Sequence, residues 1–366
     1  MKNRLLITTA LVALVSAGNA YADALNITDG DTHKITANET VDSLEMTGGS
    51  LTGAADVEAS VNVSGDANIS GGSVSLNGNY DEDTGQYIEI GGNASISGDE
   101  TKINLNGGSA IAVNERDRTF AISGGNTTLT NHSVIHGITE VSGGEIYADT
   151  QSHISGNEMS FNGGKISLNN GSDLRASGDI NISGEIEINM GKDTLFLSET
   201  QAFDGVVNAE SDQSINISGG TINLNDNAQF IRGIMNRPAG ADEELMTENI
   251  DAKVKGNINM AGGTINMNGT SSIGVYTSDG KLALDGSGIS GSSAEELLAK
   301  APTINVNGNN AINSDIDIKD GLIKINKGAT LTSGDINLTS GNYASIIDLA
   351  GTLNANVIGD GNTMGA

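Results

Sequence analysis
Along most of this chain, apolar residues take every second position in short runs, and pairs of runs are separated by two glycines. The clearest copy is Ile217-Ser218-Gly219-Gly220-Thr221-Ile222-Asn223-Leu224-Asn225, and Met260-Ala261-Gly262-Gly263-Thr264-Ile265-Asn266-Met267-Asn268 nearly repeats it. Ile69-Ser70-Gly71-Gly72-Ser73-Val74-Ser75-Leu76-Asn77 and Phe161-Asn162-Gly163-Gly164-Lys165-Ile166-Ser167-Leu168-Asn169 are further copies. A period of two buries one face of each run and leaves the other wet, which is the pattern of a half-buried strand.

The first glycines of successive turns are Gly48, Gly71, Gly98, Gly124, Gly143, Gly163 and Gly184, spaced by about 19 to 27 residues; the steps then lengthen to Gly219 and Gly262. A unit of about twenty residues is too short for a helical repeat and suits one coil of a parallel β-helix, and the leucine-rich consensus is missing. The chain is therefore expected to be all-β, a right-handed parallel β-helix of roughly 14–17 coils with loop insertions. Each coil reads strand, Gly-Gly corner, strand, Asn corner, third strand or loop. Stacked at ~4.8 Å, these coils predict a rod roughly 70–80 Å long.

The corner residues have a stated job. Glycine adopts positive φ without a Cβ clash, so Gly48, Gly71, Gly124, Gly143, Gly163, Gly184, Gly219 and Gly262 are expected to form the first corner. Asparagine also tolerates the left-handed region, and it ends the second strand at Asn77, Asn106, Asn169, Asn189, Asn225, Asn268, Asn307 and Asn326. Stacked on one another, these amides are expected to form ladders along the rod.

The N-terminus has a different pattern. Lys2 and Arg4 precede an apolar run from Leu5 to Ala17, and Ala20-Tyr21-Ala22 is an A-x-A cleavage site, so residues 1–22 read as a secretory signal peptide. No later run approaches the roughly 18 apolar residues of a membrane span. Residues 23–45 are less regular and are expected to cap the first coil. Residues 46–358 form the solenoid, with insertions near 191–213, 229–255 and 286–302, and 359–366 form a polar tail. In the last insertion Ser293 and Glu296 have capping-box spacing and Pro302 ends the segment, which predicts a short helix.

Composition narrows the partners. The formal net charge of −28 opposes binding to nucleic acid or anionic lipid and keeps a long surface soluble. There is no Cys in a chain that carries an export signal, so stability must come from strand stacking.

Residue patterns that carry chemistry are few. No nucleophile elbow, zinc motif or phosphate loop is present, and no cofactor or resident metal is expected. His132 and His136 have the parity to share a cation, although further ligands are lacking; His33 and His153 read as surface residues. Asp29-Gly30-Asp31 and Asp81-Glu82-Asp83-Thr84-Gly85 are acidic turns that could attract Ca²⁺, but they read better as solvated loops. For a polysaccharide lyase or hydrolase, which needs carboxylates a few ångströms apart, the best set is Asp179, Glu185 and Glu187 with Arg175, but these alternate outward on a strand and read better as a solvated face.

Taken together, the signal peptide, the Ser-Gly-Gly-x-Ile-x-Leu-Asn phrase, the lack of Cys and the acidic Ser/Thr/Asn-rich coils resemble the passenger region of bacterial autotransporters, the type V secreted adhesins. The resemblance covers nearly all of the chain after the signal. It implies a non-enzymatic exported stalk or adhesin at the cell surface, outer membrane or outside the cell. The implied partners are host or neighbouring-cell surface proteins or glycans, held by multivalent weak contacts. Members of that family end in a translocator barrel, and the residues up to Ala366 include no such strands. A separate outer-membrane translocator is then expected, or else a periplasmic location. The alternatives are a β-helix enzyme acting on polysaccharide and a truncated passenger without present function.

Overall fold
The computed structural model describes residues 24–360 apart from 55–56, 81–83, 116, 239–241 and 249. The signal segment with Ala20 and Ala22, the run Asp81–Asp83 and the tail after 360 lie outside the described residues.

The period-two runs form strands that stack in register from coil to coil. A 23-stranded and a 14-stranded sheet contain them, and within the larger sheet two ladders run side by side across the Gly-Gly corner. One strand of the smaller sheet, Glu244–Met246, lies off the stack; the other thirteen mark thirteen coils of a right-handed parallel β-helix. Val357–Gly359 opens a fourteenth. At ~4.8 Å per coil the rod is about 60–65 Å long, shorter than expected because the insertions absorb chain that the period had assigned to coils.

The apolar sides of the stacked strands from the first coil to Ile336–Leu338 face one continuous core. Ile222, Ile265, Ile304, Ile323 and Ile347 pair in succession on the second wall. On the third wall Leu174, Phe196, Phe230 and Ile273 do the same, and the Phe196 and Phe230 rings stack at 4.8 Å. Each coil thus buries its face on the next, and the stabilisation adds along the stack.

The first corner differs in detail from expectation. Positive φ falls on the second glycine of each pair: Gly49, Gly72, Gly125, Gly144, Gly164, Gly220 and Gly263. Of the expected set only Gly184 lies in that region. The first glycines are needed for close approach instead. A Cβ on Gly262 would sit 2.6 Å from the carbonyl oxygen of Ser218 in the preceding coil, and one on Gly163 would sit 2.5 Å from that of Ser142.

The second corner also differs. None of Asn77, Asn106, Asn169, Asn189, Asn225, Asn268, Asn307 and Asn326 is left-handed; Asn131, Asn170, Asp193 and Asn227 are. The corner is closed by a Ser or Thr three residues on. Ser109 Oγ donates to the Asn106 carbonyl at 2.9 Å, Ser133 Oγ to Thr130 at 2.7 Å, Ser152 Oγ to Asp149 at 2.7 Å and Thr194 Oγ1 to Gly191 at 3.0 Å. All four are buried, where each hydroxyl needs a partner.

Amide ladders are present. Asn268, Asn307 and Asn326 each donate to the Asn one coil back, beginning at Asn225, at 3.1, 2.9 and 2.5 Å. A second ladder runs Asn189–Asn223–Asn266–Asn305 within the second wall. Elsewhere the expected residues do other work: Asn106 accepts from Thr130 and Asn131, and Asn77 donates to Ser75 in its own strand.

From residue 24 on, the segment expected to cap the first coil is more regular than expected. Leu25–Ile27, Thr32–Ile35 and Glu39–Val41 already form a full first coil that pairs onto the next. The segments read as insertions at 191–213 and 229–255 both begin as third-wall strands, Leu195–Phe203 and Gln229–Arg237, which pair over all nine residues. Neighbouring coils cover only their first four, so the remainder projects as an extension of the wall. Ala202, Val207, Ile234 and Val254 form a satellite core there. The helix Ala294–Lys300 forms as expected, with Ser293 Oγ accepting from the Glu296 amide at 3.2 Å.

Candidate functional site
The extension brings together the densest group of charged side chains among the strands of the third wall. Parallel register sets His153 beside Asp173, and Arg175 one pleat further along the same outward row. Beyond the rod proper, Glu199 and Arg237 face outward from the two long strands. A short strap, Glu244–Met246, returns antiparallel against Ile234–Asn236 and brings Glu243 in from above.

Arg175 is the hub. Its Nε donates to Asp173 Oδ2 at 3.0 Å, its Nη2 lies 2.7 Å from the same oxygen, and its Nη1 donates to Glu243 Oε2 at 2.7 Å. His153 Nδ1 contacts the other Asp173 oxygen. Arg237 Nε approaches Glu243 Oε1 at 2.9 Å, though out of line for a hydrogen bond, and its Nη2 lies 3.5 Å from Glu199 Oε1. Glu199 is 4 % exposed, and its Oε2 has no hydrogen-bond partner.

Burial pushes the Asp173 carboxyl up, but the charges and hydrogen bonds of His153 and Arg175 outweigh it and hold the carboxyl below its ordinary range. Burial likewise works against the Arg175 guanidinium, and Asp173, Glu199 and Glu243 more than restore its charge. A depressed carboxyl contributes stability above its unfolded value and loses it as pH falls through the lower folded one. Hydrogen-exchange protection of the strand Asp173–Ala176, corrected for the intrinsic pH dependence of exchange, is therefore expected to stay level from pH 7 down to about 4 and to fall below that. A loss already complete near pH 6 would refute this account of the cluster.

Beneath the strap lies a second buried cation. Arg232 is fully buried and, among the described residues, has no direct carboxylate partner. Its Nε donates to the Gln213 carbonyl at 2.6 Å, and its Nη atoms donate to the carbonyls of Gly233 at 2.9 Å and Lys255 at 3.0 Å and to Thr200 Oγ1 at 2.9 Å. Burial lowers its pKa to about 10, so it remains charged at neutral pH.

The residues singled out from the sequence are not assembled into a site. Arg175 joins the cluster above, away from its expected companions. Asp179 accepts the Ser214 amide at a corner, Glu187 approaches Lys165 at 3.7 Å, and Glu185 is exposed in a turn. His132 leaves the strand at φ 65° and stacks on Tyr80 at 3.8 Å, while His136 bonds Ser155 at 2.8 Å. Burial lowers the His136 pKa, and the nearby His153 adds to the effect. His153, read as a surface residue, is half-buried against Asp173, and His33 pairs with Glu39 at 2.6 Å. Asp31 caps its own turn by accepting from the Thr28 amide and hydroxyl. Among the described residues no group of three or more His, Cys, Asp or Glu is placed to hold a metal ion. The surface of the described residues also carries shallow polar grooves. One, of about 490 Å³, lies between the helix and the corner at Gly219, Gly220, Gly262 and Gly263; another, of about 410 Å³, runs past Asp193, Asn227 and Thr270.

Arg237 and the acidic run Asp242-Glu243-Glu244 stand out in the sequence as charged features of the 229–255 segment, but nothing local joins them to Arg175, and Glu199 does not stand out at all. The available signal is the adjacent apolar pairs Phe230-Ile231 and Ile234-Met235, which break the alternation of a half-exposed wall and belong to a strand that the structure buries on both faces. The chain matches no protein-family model, no curated protein and no solved structure. Among the described residues no helix is long and apolar enough to cross a membrane.

Proposed function
We propose that this protein is an exported, non-enzymatic β-solenoid that works as a surface stalk or adhesin, in the manner of an autotransporter passenger. The observation that carries the reading is the outward surface of the walls. Successive coils present the same uncharged amide at the same height, as in Asn189–Asn223–Asn266–Asn305, so one weak contact is repeated along a rigid rod. Repetition at fixed spacing converts weak contacts into avidity without a deep pocket.

The polysaccharide-enzyme reading has less support. A glycosidase needs one carboxylic acid with a raised pKa beside a free carboxylate. In the one dense carboxylate cluster Asp173 is held ionised, and Glu243 is clasped between two arginines.

Protease shaving of intact source cells tests the proposal. The expected result is digestion of this protein while periplasmic markers survive. Protection until the outer membrane is opened would overturn surface display and favour a periplasmic role.

A further inference from the structure
The strap Glu244–Met246 covers a sheet edge that the rod leaves bare. The next coil, through Ser272–Val275, pairs with Gln229–Arg232 and goes no further. Past that point, among the described residues, the edge of Ile234–Asn236 is met by the strap alone, with Met246 opposite Ile234, Leu245 opposite Met235 and Glu244 opposite Asn236. An uncovered edge is a template for any extended segment, so its cover has to fit well.

The strap fits by alternation. Leu245 packs on the outer face against Leu197, Ile231 and Met235. Met246 turns to the inner face, against Ile234 and the satellite core. Glu243 has the parity of Leu245, and its carboxylate reaches the fork between Arg175 and Arg237. Only three residues pair, at the low-stability end of what opens locally.

We infer that this edge is a binding site for an extended acidic polypeptide segment, and that the strap is a built-in ligand which masks it. The segment adds antiparallel to Ile234–Asn236. It carries a carboxylate for Arg175 and Arg237, and two residues later a leucine-like side chain for the patch under Leu245. Main-chain pairing gives the affinity, and these two side chains give the register. The buried, unbonded Glu199 Oε2 beside Arg237 offers an acceptor to a donor on the incoming chain. This inference does not depend on the adhesin reading.

The test uses the full chain and a fluorescent peptide of the strap sequence, Asp-Glu-Glu-Leu-Met-Thr, as in residues 242–247. In the unaltered protein the tethered strap competes at an effective concentration in the millimolar range, so peptide binding should be absent or at least about tenfold weaker than in a released variant. The double variant E243A/L245S releases the strap and should bind the peptide, read as a rise in anisotropy. A peptide with its Leu replaced by Ser should not bind. Adding Arg175→Met to the released variant should abolish binding while the β-type circular dichroism is kept. If the double variant misfolds, Glu243→Ala alone removes only the charge clasp and should still raise peptide affinity over the unaltered protein. A folded released variant that ignores the peptide, or binds the Leu-to-Ser peptide equally well, overturns the inference.

Discussion

Replacing Gly263 by Ala is expected to destabilise the rod by about 3–5 kcal/mol, one of the largest effects of any single methyl group in this chain. Two costs combine. Gly263 has φ +78°, where a Cβ is strained against its own backbone. The same Cβ would also sit 2.6 Å from the Gly219 carbonyl oxygen and 3.0 Å from that of Gly220 in the preceding coil. Neither atom is the end of a flexible side chain, so the two coils must separate locally. Because each coil contacts only its neighbours, the damage falls on the stacking of that pair and divides the rod there. Gly288 is the control: nothing lies within 4 Å of a Cβ built on it, and its φ is not in the left-handed region. Gly288→Ala should stay within about 0.5 kcal/mol of the unaltered protein. Urea unfolding followed by circular dichroism reads both, and equal midpoints for the two variants would sink the argument.

Arg232→Met is expected to cost about 3–5 kcal/mol, confined to the extension. The thioether fills part of the volume but supplies no donors. The carbonyls of Gln213, Gly233 and Lys255 and the Thr200 hydroxyl then lose their partner inside the protein. These groups come from both long strands and from both loops that wrap them, so a single guanidinium joins four separate stretches of chain. Hydrogen exchange should show residues 199–214 and 233–257 losing protection while walls on either side, such as Ile180–Ile182 and Thr303–Val306, keep theirs. Uniform loss along the whole rod, or no loss anywhere, would show that Arg232 does not have this role.

The walls were legible in the sequence because a parallel solenoid makes the same demand in each coil. Ile222 and Ile265 face the same core as their neighbours do, and the demand prints itself as a period of two inside a period of about twenty. The Asn-x-x-Ser spacing of the second corner was equally visible, at Asn106 with Ser109 and Asn169 with Ser172, but it was read as Asn chemistry alone. Whether a corner uses its first or second glycine for positive φ is not written locally. Both must be glycine, one for its dihedral and the other for the carbonyl of the coil below.

The charged cluster was not legible. His153, Asp173, Glu199 and Glu243 are scattered over 91 positions of sequence, and each has an ordinary polar neighbourhood along the chain. Asp179, Glu185, Glu187 and Arg175 were grouped because they lie close in sequence. In a β-helix, however, closeness in space belongs to residues one coil apart, and Arg175 meets Glu243 across 68 positions.

By itself, then, the sequence determined the strands, their inward faces, the glycine corners, the amide ladders and the short helix after Ser293. Each of these is a repeated or local requirement that a few adjacent residues must satisfy. Only the tertiary structure decided that two presumed insertions merge into one extension, that Arg232 fastens it from within, and that a strap closes its edge. Those contacts occur once, between segments far apart in the chain, so no periodicity records them.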